Sequence, residues 1–267
     1  NVATTPTCES PLTLSLVTRT NNSADVDWTP PASAPASYDL YWSTTNTAPT
    51  GSTTPGATGV SNPYHIAGLA ANTTYYVWVR GNCGSGNVGN WSSAFSFKTL
   101  CSPVTTFFEN FNGVTTPALP DCWYKVGAGG SASTQATDAN SAPNTLYFYS
   151  GSTSSIAVLA MPAVSNLADN THQLKFNMRA NFTVGGNVEV GYLTNPSDPN
   201  SFVTLQTVTA SSLTYQPYVV IPGAVSAEVL AFRHTGSPAN SVLIDDVRWE
   251  VIPSCVEPTA VTVSWGS

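Results

Sequence analysis

The side chains that could do acid–base chemistry are few and scattered along this sequence. Its 267 residues include three histidines, His65, His172 and His234, each flanked by residues typical of strands and without a carboxylate at a fixed spacing. General acid–base and metal-assisted catalysis depend on clusters of histidine and carboxylate. The motifs Gly-x-Ser-x-Gly, His-Glu-x-x-His and Cys-x-x-Cys are also absent from the sequence. We therefore predict that the chain is not an enzyme; a carboxylate pair for glycoside hydrolysis, assembled only in the fold, stays as an alternative.

One glycine-rich segment has the letters of a dinucleotide-binding motif. Residues 84–89 read Gly-Ser-Gly-Asn-Val-Gly, which matches Gly-x-Gly-x-x-Gly. That motif binds a pyrophosphate only where a helix N-terminus follows it. Here residues 90–93 lead into another strand-like segment, so we expect a hairpin loop and no cofactor.

Composition excludes several classes of protein. Asp, Glu, Lys and Arg make up 9% of the residues, against roughly 25% in ordinary soluble domains. With 8 basic and 15 acidic residues the formal charge is −7, so the chain lacks the basic field that nucleic-acid binding requires. No apolar run approaches the ~20 residues of a membrane span. The chain opens at Asn1 without a methionine or a signal sequence, and we expect it to be a piece of a longer protein.

The elements that must position any site are short strands. Segments of alternating apolar and polar residues, rich in Tyr, Val, Trp, Phe and Thr, are separated by clusters of Gly, Pro, Asn and Ser. They lie at residues 38–42, 74–80, 94–98, 174–179, 188–193, 202–208, 229–234 and 242–251. This pattern predicts an all-β fold, built as antiparallel sandwiches or jelly rolls.

The two ends of the chain share a short motif. Cys8 and Cys255 are each followed three residues later by proline and then, after alternating residues, by Trp28 and Trp265 respectively. The motif predicts that the last residues begin a second copy of the first module; coincidence is the alternative, because the motif is short.

Five cysteines leave one unpaired. If Cys255 has its partner in a further repeat, pairing within modules joins Cys8 to Cys83 and Cys101 to Cys122. Such bridges indicate an oxidising, extracellular compartment. The alternative is a set of buried free thiols.

Residues 8 to about 100 contain an ordered set of strand-like segments. Trp28 is followed by the segment 38–42, then by residues 69–79 and 91–99. This arrangement resembles a fibronectin type III domain. The spacing within residues 69–79 is similar to that of the tyrosine corner of such domains. The resemblance implies that Trp28 and Tyr75 are core and corner residues.

Residues 101 to about 252 contain a second ordered set of segments, at residues 107–113, 119–123, 146–148, 188–198 and 242–247. Taken together these segments resemble the jelly-roll modules of the MAM and cleaved-adhesin type. Such modules occur in repetitive secreted surface proteins of Gram-negative bacteria that use the type IX route.

This second resemblance implies a structural Ca²⁺ ion near the first and last strands. Glu109 and Asp245 stand at the matching positions, and Asp246, Asp138 and Asn140 are lesser candidates. Carboxylate and amide oxygens are ligands that Ca²⁺ prefers. The alternative is that these side chains cap strands or hydrogen-bond a loop.

Exposed aromatic rings are the remaining candidates for binding, because jelly rolls often bind sugars. Five aromatic residues could serve as platforms: Trp123, Tyr147, Tyr149, Tyr192 and Tyr215. Roughly half of strand aromatics point into a core, so the sequence does not select among them.

We predict a fibronectin type III-like domain at residues 1–100, a jelly roll at 101–252 and the first strand of a following repeat at 253–267. The predicted function is adhesion, as a secreted, non-catalytic segment of a large surface protein or extracellular filament. Expected partners are neighbouring repeats, other copies, glycans or surfaces, without nucleic acid or membrane insertion. The alternative is a carbohydrate-binding accessory region of a secreted hydrolase or protease.

Overall fold

The structure, a computed structural model, describes residues 8–254. Within that range the regular structure is β-strand, apart from two 3₁₀ turns at Leu167–Asp169 and Pro199–Ser201, and the predicted all-β class is confirmed. No helix in the described part of the chain is long and apolar enough to cross a membrane. The chain divides into two compact units between Ser102 and Pro103. The predicted third element, residues 253–267, lies outside the described residues except for its first two positions.

Antiparallel strands build the first unit as two sheets. The strands are β1 (Leu14–Arg19), β2 (Ser23–Trp28), β3 (Ser37–Ser43), β4 (Ala57–Val60), β5 (Tyr64–Ala67), β6 (Thr74–Asn82) and β7 (Phe95–Lys98). One sheet has the order β1-β2-β5 and the other the order β4-β3-β6-β7. Alternate side chains of both sheets, among them Trp28, Leu40 and Val77, are buried in a shared apolar core.

Tyr75 forms the predicted corner at the start of β6. Its ring is buried and stacks on Phe97 with 6.1 Å between ring centroids. The backbone N–H of Ala70 donates a hydrogen bond to the Tyr75 hydroxyl at 2.9 Å. The bond satisfies a backbone donor in the turn that precedes the strand, which confirms the predicted roles of Trp28 and Tyr75.

A buried ion pair occupies the outward face of the second sheet. Asp39 and Arg80 stand opposite each other on β3 and β6, and Arg80 Nε donates to Asp39 Oδ2 at 3.0 Å. The Asn82 amide donates to the other carboxylate oxygen at 2.8 Å. The guanidinium lies 4.5 Å from the ring centroid of Trp91, whose Nε1 donates to the carbonyl of Thr50. These contacts fix the loop that contains Thr50 over the sheet.

The glycine-rich residues 84–89 lie in the connection from β6 to β7, as predicted. Gly84 and Gly86 have φ values of +83° and +77°. Only glycine adopts such angles at low cost. The glycine pattern therefore serves a turn.

The predicted disulfide pairing is confirmed for the described cysteines. Cys8 and Cys83 form a bridge with 5.9 Å between their Cα atoms. Cys101 and Cys122 are disulfide-bonded as well. Cys255 lies outside the described residues.

The second unit contains the remaining strands. They are β8 (Phe107–Glu109), β9 (Tyr124–Val126), β10 (Ser131–Gln135), β11 (Thr145–Tyr149), β12 (Val158–Ala160), β13 (His172–Ala180), β14 (Asn187–Leu193), β15 (Phe202–Thr209), β16 (Gln216–Val220), β17 (Val229–His234) and β18 (Val242–Val251). One sheet has the order β10-β11-β18-β13-β16, with β8 also paired to β18, and the other has the order β15-β14-β17-β12-β9. The inner faces of both sheets contribute to one large apolar core, as in a jelly roll.

His234, at the end of β17, is fully buried in this unit. Its Nε2 lies 2.9 Å from the carbonyl of Asn240, and its Nδ1 accepts a hydrogen bond from the N–H of Gly236 at 3.1 Å. This arrangement requires the neutral ring with its proton on Nε2. Burial lowers the pKa of His234 below its ordinary value, and the bond to Asn240 acts in the opposite direction.

We predict that Tyr75→Phe destabilises the first unit by about 1–2 kcal/mol, because the Ala70 N–H loses its partner. Urea unfolding of the two proteins measures the difference. Tyr76→Phe is the matched control, because Tyr76 points to the opposite face of β6, and it should change stability by less than about 0.5 kcal/mol. Equal effects of the two substitutions would contradict the role of the corner.

We predict that His234 makes the second unit acid-labile. The unfolded imidazole has a pKa near 6.5 and the folded one a lower pKa, so the unfolded state binds more protons below pH 6.5. The stability due to neutral His234 is complete above that pH and is lost as the pH falls through the folded pKa.

Urea unfolding at a series of pH values tests this, with His234→Gln compared with the parent so that contributions of other groups cancel. The parent should lose more stability on acidification than the variant does. An identical pH dependence in the parent and His234→Gln would refute the prediction.

Candidate functional site

Two adjacent carboxylates lie at an irregularity in the middle of β18. Lys175 pairs with Arg248 but Asn177 pairs with Asp245, so two residues of β18 oppose one residue of β13. Asp246 has a φ of +52°, and both features define a β-bulge. The bulge turns the carboxylates of Asp245 and Asp246 toward one loop. Asp245 is fully buried and Asp246 is 8% exposed.

The loop at residues 138–141 supplies most of the donors to this acidic pair. The backbone N–H groups of Asn140 and Ser141 donate to Asp245 Oδ2 at 2.8 and 3.0 Å. The side chains of the same two residues donate to Asp246, each at 2.6 Å. Asn177 adds a third donor to Asp246 at 3.1 Å. We call this arrangement the loop clasp; it joins the loop to the central strand of its sheet.

The acidic pair has an electrostatic cost that hydrogen bonds only partly offset. The pKa of Asp245 is raised to about 6 in all: burial is the largest cause and the charge of Asp246 acts in the same direction, whereas the backbone donors at Ser141, Asp246 and Asn140 lower the pKa. Among the described residues, neither carboxylate forms an ion pair with a Lys or Arg side chain. The pair therefore carries unneutralised negative charge in a buried position.

Of the five predicted calcium ligands, the structure brings Asn140 into contact with Asp245 and Asp246. Glu109 lies on β8 opposite Val247, one residue along from Asp246, and its Oε1 accepts a hydrogen bond from the Phe111 N–H at 2.6 Å.

Burial raises the pKa of Glu109 above its ordinary value. The carboxylate of Asp138 contacts Arg179 at 3.3 Å.

These residues fit a hard cation in ligand chemistry and in charge. Carboxylates and the amide oxygen of Asn140 are oxygen ligands of the kind Ca²⁺ takes, and a divalent ion would neutralise Asp245 and Asp246. A bound ion would have to replace the donors that now face Asp246. Within the described residues, no group of three His, Cys, Asp or Glu side chains has the proximity of a formed metal site.

Three members of this region were not among the predicted ligands. Ser141 and Asn177 donate to Asp246. Tyr215 donates from its hydroxyl to the carbonyl of Asp138 at 2.9 Å and lies 2.8 Å from the Thr145 hydroxyl. The only available sequence signal was the position of Ser141 directly after Asn140.

The five aromatic candidates differ in their exposure and in the contacts they make. Trp123 is 5% exposed and packs edge-on against Phe107 and Phe111, and Tyr192 packs against the same core. Tyr147 and Tyr149, two residues apart on β11, are half-buried, with 6.3 Å between their ring centroids. With Tyr215 engaged by hydrogen bonds, this pair is the part of the predicted set that offers adjacent accessible rings.

These features define the chain as two successive β-sandwich domains whose described cysteines are disulfide-bonded. Residues 9–98 match the model of the fibronectin type III domain, which confirms that resemblance for the first unit. No curated protein matches the sequence.

Solved structures similar to part of the chain include cleaved adhesin domains. The K1 domain of Lys-gingipain from Porphyromonas gingivalis W83 is 18% identical over 56% of this chain and 99% of its own, with a TM-score of 0.46. The K3 domain of the same protein is 15% identical over 54% of this chain and 97% of its own, with a TM-score of 0.44. The CBM22-1 xylan-binding domain of Paenibacillus barcinonensis Xyn10C is 10% identical over 58% of this chain and 100% of its own, with a TM-score of 0.39.

Proposed function

We propose that this chain is a non-catalytic binding segment of a larger extracellular surface protein and that its role is adhesion. The observation that carries the proposal is that hydrogen bonds within the fold hold the buried ionisable groups in place. Both ring nitrogens of His234 are engaged by backbone groups, and Asp39 is held by Arg80 and Asn82. Groups fixed in this way hold loops in place, whereas a catalytic acid or base must be free to exchange a proton with a substrate.

The surface chemistry supports the same role. A chain with 9% charged residues presents mainly hydroxyl, amide and apolar groups to solvent. Contacts made by such groups are only weakly sensitive to salt. The Cys8–Cys83 bridge supports an oxidising environment outside the cell.

Binding to glycans is the form of adhesion that the half-buried tyrosine rings of β11 favour. Tyr147 and Tyr149 lie beside the hydroxyls of Ser133 and Ser131, their partners across the β10–β11 pair. An aromatic face with neighbouring hydroxyls suits the C–H face and the hydroxyl groups of a sugar. The same chemistry would serve the alternative function, an accessory binding region of a secreted hydrolase or protease.

We predict that the isolated chain binds at least one polysaccharide without hydrolysing it. Affinity gel electrophoresis against soluble β-glucans, xylan and mannan measures binding, and reducing-sugar release measures turnover. Sedimentation velocity of the same sample detects binding to other copies. Absence of both polysaccharide binding and self-association, or release of sugar, would overturn the proposed function.

A structural Ca²⁺ ion at the loop clasp is a second part of the proposal. Asp245 and Asp246 would hold it, with Glu109 and the amide oxygen of Asn140 completing the protein ligands. The supporting observation is the buried, unneutralised acidic pair. The ion would offset the repulsion between the two carboxylates and so stabilise the loop and the strand together.

We predict that Ca²⁺ raises the Tm of the second unit and that chelation by EGTA reverses the rise. A ligand at a hundred times its Kd stabilises the folded state by about 2.7 kcal/mol. Differential scanning calorimetry measures the shift, and elemental analysis measures bound metal. Asp245→Asn should abolish the response, whereas Asp138→Asn, a change of a carboxylate that contacts Arg179, should preserve it. A Tm insensitive to both reagents, with no metal bound, would show that hydrogen bonds alone form the clasp.

A further inference from the structure

The Cys8–Cys83 bridge closes a covalent ring around most of the first unit. The two cysteines are 75 residues apart in the sequence, and the ring that they close contains β1–β6. Outside the ring, the chain continues from Cys83 through β7 to Leu100. Tension applied to the chain from both sides of the unit therefore crosses the bridge and bypasses β1–β6. Without the bridge, the same tension would pass along every strand of the unit.

The segment at which such tension enters lies close against the end of β6 and the loop that follows it. A Cβ atom on Gly89 would lie 2.5 Å from the carbonyl oxygen of Cys8. A Cβ atom on Gly81 would lie 2.5 Å from the carbonyl oxygen of Glu9. Glycine at these positions allows an approach that any side chain would prevent. The backbone packing and the bridge to Cys83 thus hold the entry segment at the same place.

The point at which tension leaves the unit lies at the opposite end of β6. The carbonyl of Leu100 accepts a hydrogen bond from the N–H of Asn72 at 3.0 Å, and the N–H of Leu100 donates to the carbonyl of Thr20 at 3.0 Å. β6 begins at Thr74 and ends one residue before Cys83. The two loaded points, Cys83 and Leu100, are therefore separated by the length of this strand.

This geometry directs the load along the strands. β6 and β7 are antiparallel, with Tyr75 opposite Phe97. Force at Cys83 pulls β6 toward one end of the pair, whereas force at Leu100 pulls β7 toward the other end. Hydrogen bonds between antiparallel strands run perpendicular to the strands. A sliding force loads all of these bonds at once, so they do not break one after another.

Thr99 adds contacts at the loaded end of β7. Its side chain is buried, and its hydroxyl donates to the carbonyl of Ala70 at 2.7 Å and accepts a hydrogen bond from the N–H of Thr73 at 2.9 Å. The N–H of Thr99 donates to the carbonyl of Thr73 at 3.0 Å. These bonds join the end of β7 to the turn before β6 and must break when β7 slides.

We propose that the first unit is a load-bearing element, in which the Cys8–Cys83 bridge carries tension past β1–β6 and the β6–β7 pair resists that tension in shear. Under load the unit then yields only the stretch from Cys83 to Leu100, which spans at most about 60 Å when fully extended. The ring stays folded and serves as the template on which β7 pairs again when the tension falls. The inference goes beyond the proposed adhesive function, because it concerns how the chain carries force and not what it binds.

Optical tweezers with handles at the two ends of the full chain test the proposal. In the parent, the first unit should open in a step of no more than about 60 Å. The bridge-free variant Cys8→Ser/Cys83→Ser should reach a total extended length greater by about 260 Å, because the 75 residues that the bridge removes from the loaded path are returned to it. This difference in length does not require the variant to fold.

Two substitutions test the path of the load through unfolding rates at constant force. Thr99→Val removes the hydroxyl with little change of volume, and in the parent it should speed the short step about tenfold. Leu16→Ala weakens the packing of β1, which lies inside the ring. It should leave the short step of the parent unchanged and should speed unfolding of the first unit in the bridge-free variant.

Three results would overturn the proposal: equal extended lengths of the parent and the bridge-free variant, a first-unit step in the parent well above 60 Å, or a short step that responds to Leu16→Ala as strongly as to Thr99→Val. If the bridge-free variant does not fold, the two substitutions in the parent still test the path. Polysaccharide binding is measured on the chain without tension, so failure of this proposal leaves the proposed function standing, and failure of the proposed function leaves the path of the load to be measured as before.

Discussion

The burial of two adjacent carboxylates in β18 is the constraint on which the second unit depends. This strand pairs with β11, β13 and β8, so its register sets the register of most of one sheet. Two successive residues of a regular strand point to opposite faces. The bulge at Asp246 removes that alternation and lets both carboxylates reach the 138–141 loop. Breaking the loop clasp would leave two buried charges without partners, which costs more than the net gain from making the bonds.

The parts of the fold that follow from local pattern were predictable from the sequence. The alternation around Val77 identified β6, and the spacing of Tyr75 within it identified the corner that the Ala70 N–H completes. The glycines at residues 84 and 86 indicated a turn because a strand-like segment, and no helix, came after them. In each case the signal and its structural partner lie within about ten residues of each other.

The contacts of the candidate site could not be predicted in the same way, because they join distant segments. Asn140 and Asp245 are 105 residues apart in the sequence. Their contact requires a β-bulge, which no residue type in β18 predicts. Asp138 carries the same carboxylate as Asp246, yet in the structure it contacts Arg179. Aromatic side chains posed the same difficulty: no local pattern showed which of Trp123 and Tyr147 is buried, and the fold shows that Trp123 is buried and Tyr147 half-buried.

A single series of hydrogen bonds connects the core of the second unit to a surface loop. His234 holds the loop at residues 235–241 through Gly236 and Asn240, and Asn240 in turn holds the carbonyl of Val184 in the loop that follows β13. Each of these contacts uses a neutral group, and residues 181–186 and 235–241 contain no Asp, Glu, Lys or Arg. Charged loops would have been ordered by ion pairs, whose strength falls as salt rises. The scarcity of charge and the hydrogen bonding of these loops therefore act together, because contacts between neutral groups hold the loops in a way that depends little on ionic strength.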